Sequence, residues 1–264
     1  GFAQRKLEDR KSHGKEDPKR IGERFGQTEL ARPDGKLVWF HAASVGESLS
    51  ILELIRRLAD LREDLNFLVT TGTVTSAAMV AGRLPDRAVH QFVPVDARQP
   101  IRDFLTHWKP DLAVWTESEL WPALMYETHA ASVPMLLINA RISRETHNKW
   151  RWFPGMAKSL LRRFDFVLAQ DAQTGKFLRR LGLPKNRIEV SGTLKEGSAA
   201  LPCDEIDRAH FATQLAGRPV WLAASTHPGE EEMVAKAHKQ VARSAQRLLL
   251  IIAPRHPDRG PEIA

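Results

Sequence analysis

The sequence predicts an α/β fold in which a mostly parallel sheet is covered by helices on both faces. Short apolar, β-rich runs alternate with segments whose apolar residues recur every three or four positions, and this alternation is typical of stacked βαβ units. Several of the runs are almost continuously apolar, as expected of strands that are buried on both faces. We therefore expect a doubly wound, Rossmann-like domain in the first part of the chain.

Seven strands separated by helices are expected in this first domain, over residues 1–195. The expected strands cover residues 37–42, 66–71, 89–94, 112–117, 135–140, 166–170 and 188–192. Helical periodicity is clearest over residues 48–62, 74–84, 98–107 and 172–181.

A second α/β series follows a connector. Residues 196–218 are rich in Gly, Pro, Ala and charge and contain no strand candidate, so they predict an interdomain connector with a helix. Strands are then expected at 220–226 and 247–256, with a helix at 229–245 between them. Because two strands and one helix are too few for an independent doubly wound domain, residues 219–264 are interpreted as the start of a larger, truncated domain.

Composition narrows the classes of partner and site. Thirty-nine Lys and Arg against 32 Asp and Glu give a formal net charge of +7, which favours anionic partners. The single cysteine, Cys203, excludes an internal disulfide, and the sequence lacks the C-x-x-C and H-E-x-x-H spacings of common zinc sites. Its apolar runs are shorter than the roughly 20 residues of a membrane-spanning helix, and residues 1–20 lack the apolar core of a signal peptide. We expect a soluble or peripheral protein.

The polar residues that follow the strands are the candidates for chemistry, because ligands of open parallel sheets bind at the carboxyl ends of the strands. Ser44 to Glu47 match the S-x-x-E capping box, in which the two side chains satisfy backbone groups at a helix start. Glu47 is also placed to act as a general base, although a helix N-terminus would lower its basicity. Both roles are compatible only if the side chain turns from its own backbone toward the crevice.

Four further strand ends carry candidate residues. Alternation along 112–119 predicts Glu117 and Glu119 on one face, but without a D-x-D motif a metal site is not expected. In the segment 225–232, helix capping explains Pro228 and three acids, while His227 and Gly229 suit a phosphate or a sugar hydroxyl. Arg255 and His256 follow a buried strand, where positive charge could meet a diphosphate or monophosphate, although a surface arginine is the plainer interpretation. The amine of Lys195 could face the interdomain cleft, although an ordinary solvated lysine is commoner.

Aromatic and basic residues are interleaved over residues 148–166. Trp150, Arg151 and Trp152 fit an interface with a membrane that carries anionic lipid. A helix that packs on the sheet is the better interpretation of residues 156–164.

Taken together, eight ordered segments resemble the Kdo transferases, which move 3-deoxy-D-manno-oct-2-ulosonic acid (Kdo) from its CMP-linked form to the lipid A precursor. The segments are HAASVGES, TTGTVTSA, VPVD, ESELWP, NARIS, GTLK, STHPGEEE and APRHP, which lie between about residues 20 and 257. The resemblance implies a GT-B architecture of two Rossmann-like domains, the first receiving the acceptor and the second the nucleotide sugar. It also implies an enzyme that works without a cofactor at the cytoplasmic face of the inner membrane. Nucleic acid is not expected as a partner, because the basic residues are dispersed and do not form a recognisable binding motif.

The resemblance implies roles for individual residues. Glu47 would be the general base, and Glu117 and Lys195 would stabilise the transition state. Pro254 and Arg255 would begin the CMP-binding set, to which we add His256 and His227, and Trp150, Arg151 and Trp152 would face the acceptor and the membrane.

Two departures from the family pattern matter. The region before the ERFG segment is polar where relatives carry an apolar anchor, and the chain ends soon after APRHP. We therefore expect this chain alone to bind CMP-Kdo poorly and to turn over slowly. The competing hypotheses are a GT-B transferase that uses another nucleotide sugar and a non-catalytic, peripheral membrane module that binds the acceptor lipid.

Overall fold

The protein is described by a computed structural model that covers residue 7 and residues 16–117, 120–194 and 203–263. The chain divides into two compact units, residues 1–199 and residues 200–264. Each unit is described by itself below.

Unit 1 is built on a parallel sheet, as the alternation of apolar runs and helices predicts. Within the described residues its strands are β1 (Lys36–Ala42), β2 (Leu65–Thr71), β3 (Ala88–Phe92), β4 (Leu112–Thr116), β5 (Met135–Ala140), β6 (Phe166–Ala169) and β7 (Ile188–Val190). They are ordered β3-β2-β1-β4-β5-β6-β7, and every neighbouring pair is parallel. All seven strands coincide with predicted ones to within a few residues.

Helices connect these strands. They are α1 (Val45–Leu61), α2 (Val74–Val80), α3 (Arg98–Trp108), α4 (Pro122–Ala130), α5 (Arg144–Arg151), α6 (Pro154–Leu161) and α7 (Ala172–Arg180). Helix α1 begins three residues before the apolar periodicity because Ser44 caps it, and α2 ends before the left-handed turn at Gly82 (φ 72°). Helix α5 was not predicted, since its residues are almost entirely polar.

The sheet separates two hydrophobic cores. Alternate residues of β1 enter opposite sides: Val38 and Phe40 pack with Ile51 and Ile55 of α1 on one face. On the other face Leu37 and Trp39 join a larger core, which contains residues of α3, α4, α6 and α7. Trp39 contacts Phe104 and Trp115 with ring centroids 4.9 and 5.1 Å apart, and each fully buried side chain of this kind contributes about 2–3 kcal/mol through the hydrophobic effect.

A 3₁₀ helix at Pro18–Phe25 fastens the N-terminal segment to the edge of the sheet. The Glu23 carboxylate accepts the Phe92 backbone N–H at 2.6 Å and pairs with Arg20 at 2.7 Å. The helix ends at Gly26, whose φ of 78° is left-handed. A Cβ at this glycine would lie 2.1 Å from the Pro100 carbonyl oxygen, so the approach of this segment to α3 requires glycine.

Unit 2 contains two parallel strands, β8 (Val220–Thr226) and β9 (Leu249–Pro254), within its described residues. Its helices are α8 (Glu205–Leu215), α9 (Glu230–Val241) and α10 (Gly260–Ile263), with a 3₁₀ turn at Pro257–Arg259. Helix α8 lies in the region predicted as a connector with a helix. Among the helices that the structure describes, none combines the length and the apolarity needed to cross a membrane.

Candidate active site

The carboxyl ends of β1, β4 and β5 lie side by side in the middle of the unit 1 sheet. The strand order reverses at this point, because the chain moves from β1 toward β3 and then returns to place β4 on the other side of β1. Loops that leave such neighbours go to opposite faces and open a crevice between them, which is the usual ligand position in sheets of this kind. Glu47 follows β1 and Glu117 follows β4, so the topology brings these two predicted residues to the same edge.

Glu47 closes a capping box at the start of α1. Its backbone N–H donates to Ser44 Oγ at 3.2 Å, and the Ser44 hydroxyl lies 3.0 Å from Glu47 Oε1. Glu47 Oε2 accepts the Ala43 backbone N–H at 2.8 Å, one residue before the position that a standard capping box uses. The capping interpretation is therefore confirmed.

The side chain does not turn from its own backbone, which was the condition for combining the two roles. The reason is that the Ala43 N–H, at the end of β1, pairs with this carboxylate. Thr116 of β4 adds a third contact, because its hydroxyl lies 3.1 Å from Glu47 Oε2 and also 3.1 Å from the His41 carbonyl oxygen. The single Thr116 proton is shared between these two acceptors. A carboxylate offers about four acceptor positions, so Ala43, Ser44 and this shared proton leave at least one position on Oε1 for a further hydrogen bond or a proton.

The environment makes Glu47 more basic than an ordinary glutamate. Its side chain is 5% exposed, and burial raises its pKa above the usual value of 4.5. The hydrogen bonds from Ala43, Ser44 and Thr116 lower the pKa, while the nearby charge of Glu117 raises it slightly. The expectation that the helix N-terminus would lower the basicity is therefore wrong in net effect, because desolvation outweighs the hydrogen bonds. A carboxylate with a raised pKa is a better proton acceptor near neutral pH.

Glu117 ends β4 in a strained backbone conformation. Its φ of 56° is left-handed, which costs on the order of 1 kcal/mol or more for a residue other than glycine, and its N–H donates to the Ile138 carbonyl oxygen at 3.1 Å. Glu117 thus leaves the extended conformation of the strand. The predicted alternation of Glu117 with Glu119 is not tested, because residues 118 and 119 lie outside the described part of the chain.

Asn139 was not identified as a site residue from the sequence, although it stands in the NARIS segment. It is the next-to-last residue of β5 and has φ 53°, so a left-handed residue stands at the carboxyl end of each of two adjacent strands. Its Oδ1 accepts the Leu194 backbone N–H at 3.2 Å, and its Nδ2 is buried without a hydrogen-bond partner among the described residues. The predicted Lys195, which follows Leu194 in the sequence, lies outside the described residues.

His41 is a second residue that the sequence did not reveal, because a lone histidine in an apolar strand resembles a core residue. It is buried at the end of β1, with Nδ1 3.0 Å from Thr70 Oγ1 and its ring edge-on to Trp121 at 5.6 Å. Burial lowers its pKa to about 4, so the imidazole is neutral at pH 7. Its Nε2 is buried and has no hydrogen-bond partner within the ranges that the structure describes.

The residues of unit 2 that were predicted to bind the nucleotide-sugar donor lie at the ends of β8 and β9. Pro254 pairs with Thr226 in the sheet register, and the Arg255 N–H donates to the Thr226 carbonyl oxygen at 3.0 Å. The side chains of Arg255, His256 and His227 are exposed.

Helix α9 starts later than predicted. Pro228 is not its first residue, because Gly229 with φ 90° occupies the N-cap position and the helix begins at Glu230. Glu230 accepts the His227 N–H at 2.7 Å, and Arg259 at 2.9 Å from Glu231 lowers the Glu231 pKa to about 2. The first two acids of this turn are thus occupied by contacts inside unit 2.

The aromatic and basic segment divides between the core and the surface. Trp150 is partly buried against the larger core, and the predicted core residues Leu160 and Leu161 are buried within it. Trp152 is 82% exposed and is followed by Phe153, which is 63% exposed. Trp150 therefore acts mainly in packing, and Trp152 is the tryptophan that presents its ring to solvent.

A cavity of roughly 660 Å³, away from the residues discussed above, lies at the edge of the sheet and is lined by Arg20, Glu23 and His90 among others. Its polar groups contact one another: Arg20 pairs with Glu23 and donates to the His90 carbonyl oxygen at 3.0 Å. His90 Nε2 lies 2.9 Å from Thr71 Oγ1, and burial lowers the His90 pKa to about 3. We assign this cavity to the attachment of the N-terminal segment. Among the described residues, no group of three or more His, Cys, Asp or Glu side chains is arranged to hold a metal ion.

Comparison with known protein families gives a match over most of unit 1. A family model described as 3-Deoxy-D-manno-octulosonic-acid transferase (kdotransferase) matches residues 19–197. The probable mitochondrial 3-deoxy-D-manno-octulosonic acid transferase of Arabidopsis thaliana is 34% identical over 261 residues, which are 97% of this chain and 58% of the relative. The 3-deoxy-D-manno-octulosonic acid transferase of Haemophilus influenzae is 31% identical over 249 residues, 93% of this chain and 58% of the relative. This chain thus spans less than two thirds of the length of these relatives.

Solved structures support the fold class. A putative UDP-N-acetylglucosamine 2-epimerase from Listeria monocytogenes superposes with a TM-score of 0.62 at 13% identity, covering 83% of this chain and 62% of that one. The UDP-GlcNAc 2-epimerase of Methanocaldococcus jannaschii gives a TM-score of 0.58 at 14% identity, covering 86% and 68%. At such low identity the likeness concerns the fold alone, and it confirms the predicted α/β class of GT-B type.

Proposed function

Since this chain belongs to the 3-deoxy-D-manno-octulosonic acid transferase family, as its eight segments predict, we propose that it takes part in Kdo transfer from CMP-Kdo to the lipid A precursor, lipid IVA. The observation that carries this proposal is the Glu47 carboxylate, which is buried, raised in pKa and left with one acceptor position at the edge of the sheet. The reaction would take place at the cytoplasmic face of the inner membrane, with the chain bound peripherally.

The proposed reaction is an inverting displacement that needs no metal. Glu47 accepts the proton of an acceptor hydroxyl, and the resulting oxygen attacks the anomeric carbon of Kdo from the side opposite the phosphate. The bond from the anomeric carbon to the phosphate oxygen breaks, and CMP departs with the electron pair. Glu117 and Lys195 are proposed to stabilise the transition state.

The departing CMP phosphate requires positive charge. Arg255 is proposed to supply part of this charge, with Pro254, His256 and His227 beside it at the strand ends of unit 2. The sequence contains no D-x-D motif for a metal-nucleotide complex, which supports the metal-free route.

The test is transfer from CMP-Kdo to lipid IVA, followed by mass spectrometry, with this chain and with a version extended at its C-terminus to the length of its relatives. Glu47→Gln keeps an oxygen that can accept the Ala43 N–H but removes the base, so we expect transfer to fall at least about a hundredfold. The thermal unfolding temperature of this variant should differ little from that of the native chain. A matched control is Glu53→Gln, which makes the same charge change at a partly buried carboxylate of the same helix that pairs with Arg56 and Arg57. Unchanged transfer by Glu47→Gln would show that Glu47 acts only as a helix cap.

The sugar nucleotide is tested separately. Protection of the extended chain against thermal unfolding by CMP, UDP and GDP should be strongest with CMP. Stronger protection by UDP or GDP would favour a GT-B transferase with another donor.

A second candidate function is a peripheral module that binds the acceptor lipid without catalysis. The exposed Trp152 and Phe153, next to Arg151, favour it. Flotation with liposomes that contain lipid IVA distinguishes the two functions, since lipid-dependent binding without transfer by either chain length would support the module.

A further inference from the structure

A cavity of roughly 330 Å³ in unit 1 is lined by His147 and Arg151 of α5 and Arg180 of α7. None of these residues belongs to the cluster around Glu47. Helix α7 begins at the carboxyl edge of the sheet, and Arg180 is its last residue, so the cavity lies toward the far end of this helix. A cavity of this size can hold a small ligand or the headgroup of a larger one.

His147 is a buried polar residue whose side chain is not fully satisfied by the protein. It is 4% exposed and stacks on Phe177, with ring centroids 4.3 Å apart and planes 20° from parallel. Its Nε2 is buried and has no hydrogen-bond partner within the described residues. Because a buried imidazole nitrogen without a partner is unfavourable, this unsatisfied atom, in a residue that lines the cavity, points to a ligand there.

The two arginines supply positive charge without an opposing carboxylate. Each stands in the last turn of its helix, where the helix dipole stabilises a cation. Within the described residues neither forms an ion pair, whereas the neighbouring Lys149 pairs with Glu145 at 2.8 Å. Among the residues that the structure describes, the lining therefore consists of two guanidinium groups and an imidazole, with no acid. This set repels a metal cation and attracts an oxyanion.

We propose that this cavity binds a phosphate monoester or inorganic phosphate, held by His147, Arg151 and Arg180. Guanidinium groups match the geometry of phosphate oxygens through paired hydrogen bonds, and the imidazole adds a donor from the buried side. The phosphate comes either from a soluble molecule or from a lipid headgroup, and the exposed Trp152 directly after Arg151 is compatible with a lipid. The inference is independent of the proposed transfer reaction, because it rests on the lining of this cavity.

The first experiment measures binding of inorganic phosphate to this chain by isothermal titration calorimetry at constant ionic strength. We expect saturable binding that is weakened about tenfold or more by Arg151→Gln and by Arg180→Gln. Arg179→Gln removes the same charge from the adjacent, exposed position of α7 and should change the affinity less than about twofold. His147→Phe preserves an aromatic ring on Phe177 and should weaken binding in a chain that still unfolds cooperatively.

The second experiment identifies the source of the phosphate. Flotation with vesicles of phosphatidylcholine containing phosphatidic acid, with and without methyl phosphate as competitor, is compared between the native chain and Arg180→Gln. Competition together with a loss of flotation in Arg180→Gln assigns the site to a lipid headgroup, and flotation equal in the two chains assigns it to soluble phosphate. The proposal is overturned if the native chain shows no saturable phosphate binding, or if Arg179→Gln weakens binding as much as Arg180→Gln.

Discussion

At the scale of single residues, Glu47 is a helix cap whose capping contacts fix the carboxylate in one orientation, while burial raises its pKa despite those contacts. The side chain does not turn from its own backbone, so the condition that the sequence set for combining capping with base catalysis is not met. The proposed base role depends instead on the open acceptor position on Oε1. The sequence revealed the position of Glu47, but the balance between burial and hydrogen bonds depends on Thr116, which comes from a distant strand.

The raised pKa of Glu47 has a consequence for stability. A carboxyl whose pKa is higher in the folded state stabilises the fold fully below its unfolded value of about 4.5, and this contribution is lost as the pH rises through the folded pKa. The unfolding free energy of the native chain relative to Glu47→Gln should therefore fall as the pH is raised from about 4.5 toward 7. Urea unfolding at a series of pH values measures this difference. A difference that stayed constant or grew with pH would show that burial does not dominate.

Thr116 positions the Glu47 carboxylate and lowers its pKa. Thr116→Val keeps the shape of this buried side chain but removes the hydroxyl, so the Glu47 pKa should rise further. We expect the acidic limb of the pH profile of kcat/KM for Kdo transfer to move to higher pH, with a loss of about 1–2 kcal/mol in stability. The matched control is Thr128→Val, since Thr128 is also buried and donates to the Leu124 carbonyl oxygen inside α4 at 2.7 Å. It should lose stability without moving the profile.

At the scale of elements, helices and strands were predicted correctly where the local sequence pattern indicated them. The nine predicted strands are all present because each is a short apolar run bounded by polar residues. Helix α5 was missed because almost all of its residues are polar, which leaves no apolar periodicity to recognise. The start of α9 was misplaced because Pro228 resembled a first helical residue. The left-handed ends of β4 and β5, at Glu117 and Asn139, had no signal in residue type that distinguished them from solvated loops.

The junction between the N-terminal 3₁₀ helix and α3 should be sensitive to a single methyl group. Gly26→Ala would place a Cβ against the Pro100 carbonyl oxygen in a left-handed conformation, and we expect a loss of about 3 kcal/mol in unfolding free energy. Gly46→Ala is the matched control, because its Cβ would meet nothing within 4 Å in the first turn of α1. Chemical denaturation should show this control unchanged or stabilised by up to about 1 kcal/mol. Equal effects of the two substitutions would contradict the predicted clash.

At the scale of the whole molecule, the net charge of +7 and the exposed Trp152 are both features that favour binding to an anionic membrane surface. Charge attraction to anionic vesicles is screened by salt, whereas insertion of an aromatic ring is not. We expect flotation with anionic vesicles to decrease with ionic strength for the native chain and for Trp152→Ser, with the variant weaker at every salt concentration. Trp150→Phe, which replaces a ring packed on the core, is the control and should float as the native chain does. A variant as strongly bound as the native chain would show that Trp152 does not reach the lipid.

The fold class was predictable from the sequence, whereas the site was predictable only in part. Periodicity reports burial, which is a local property of each strand and helix, and the β-α alternation then restricts the sheet to parallel arrangements. The contacts around Glu47 join residues about 70 positions apart, and the buried His147 meets Phe177 across two helices. Such contacts depend on the strand order, which the pattern of a single segment does not contain.

The change of direction in strand order between β1 and β4 also bears on how this protein could be remodelled. The chain segments that follow these two strands diverge without crossing, so each can be lengthened or exchanged without disturbing the backbone pairing between the strands. Grafting the corresponding segments from a relative should therefore alter what the crevice admits while leaving the scaffold folded. Such exchanges should cost the protein little stability, because the candidate site residues stand at the rim of the sheet and not within it.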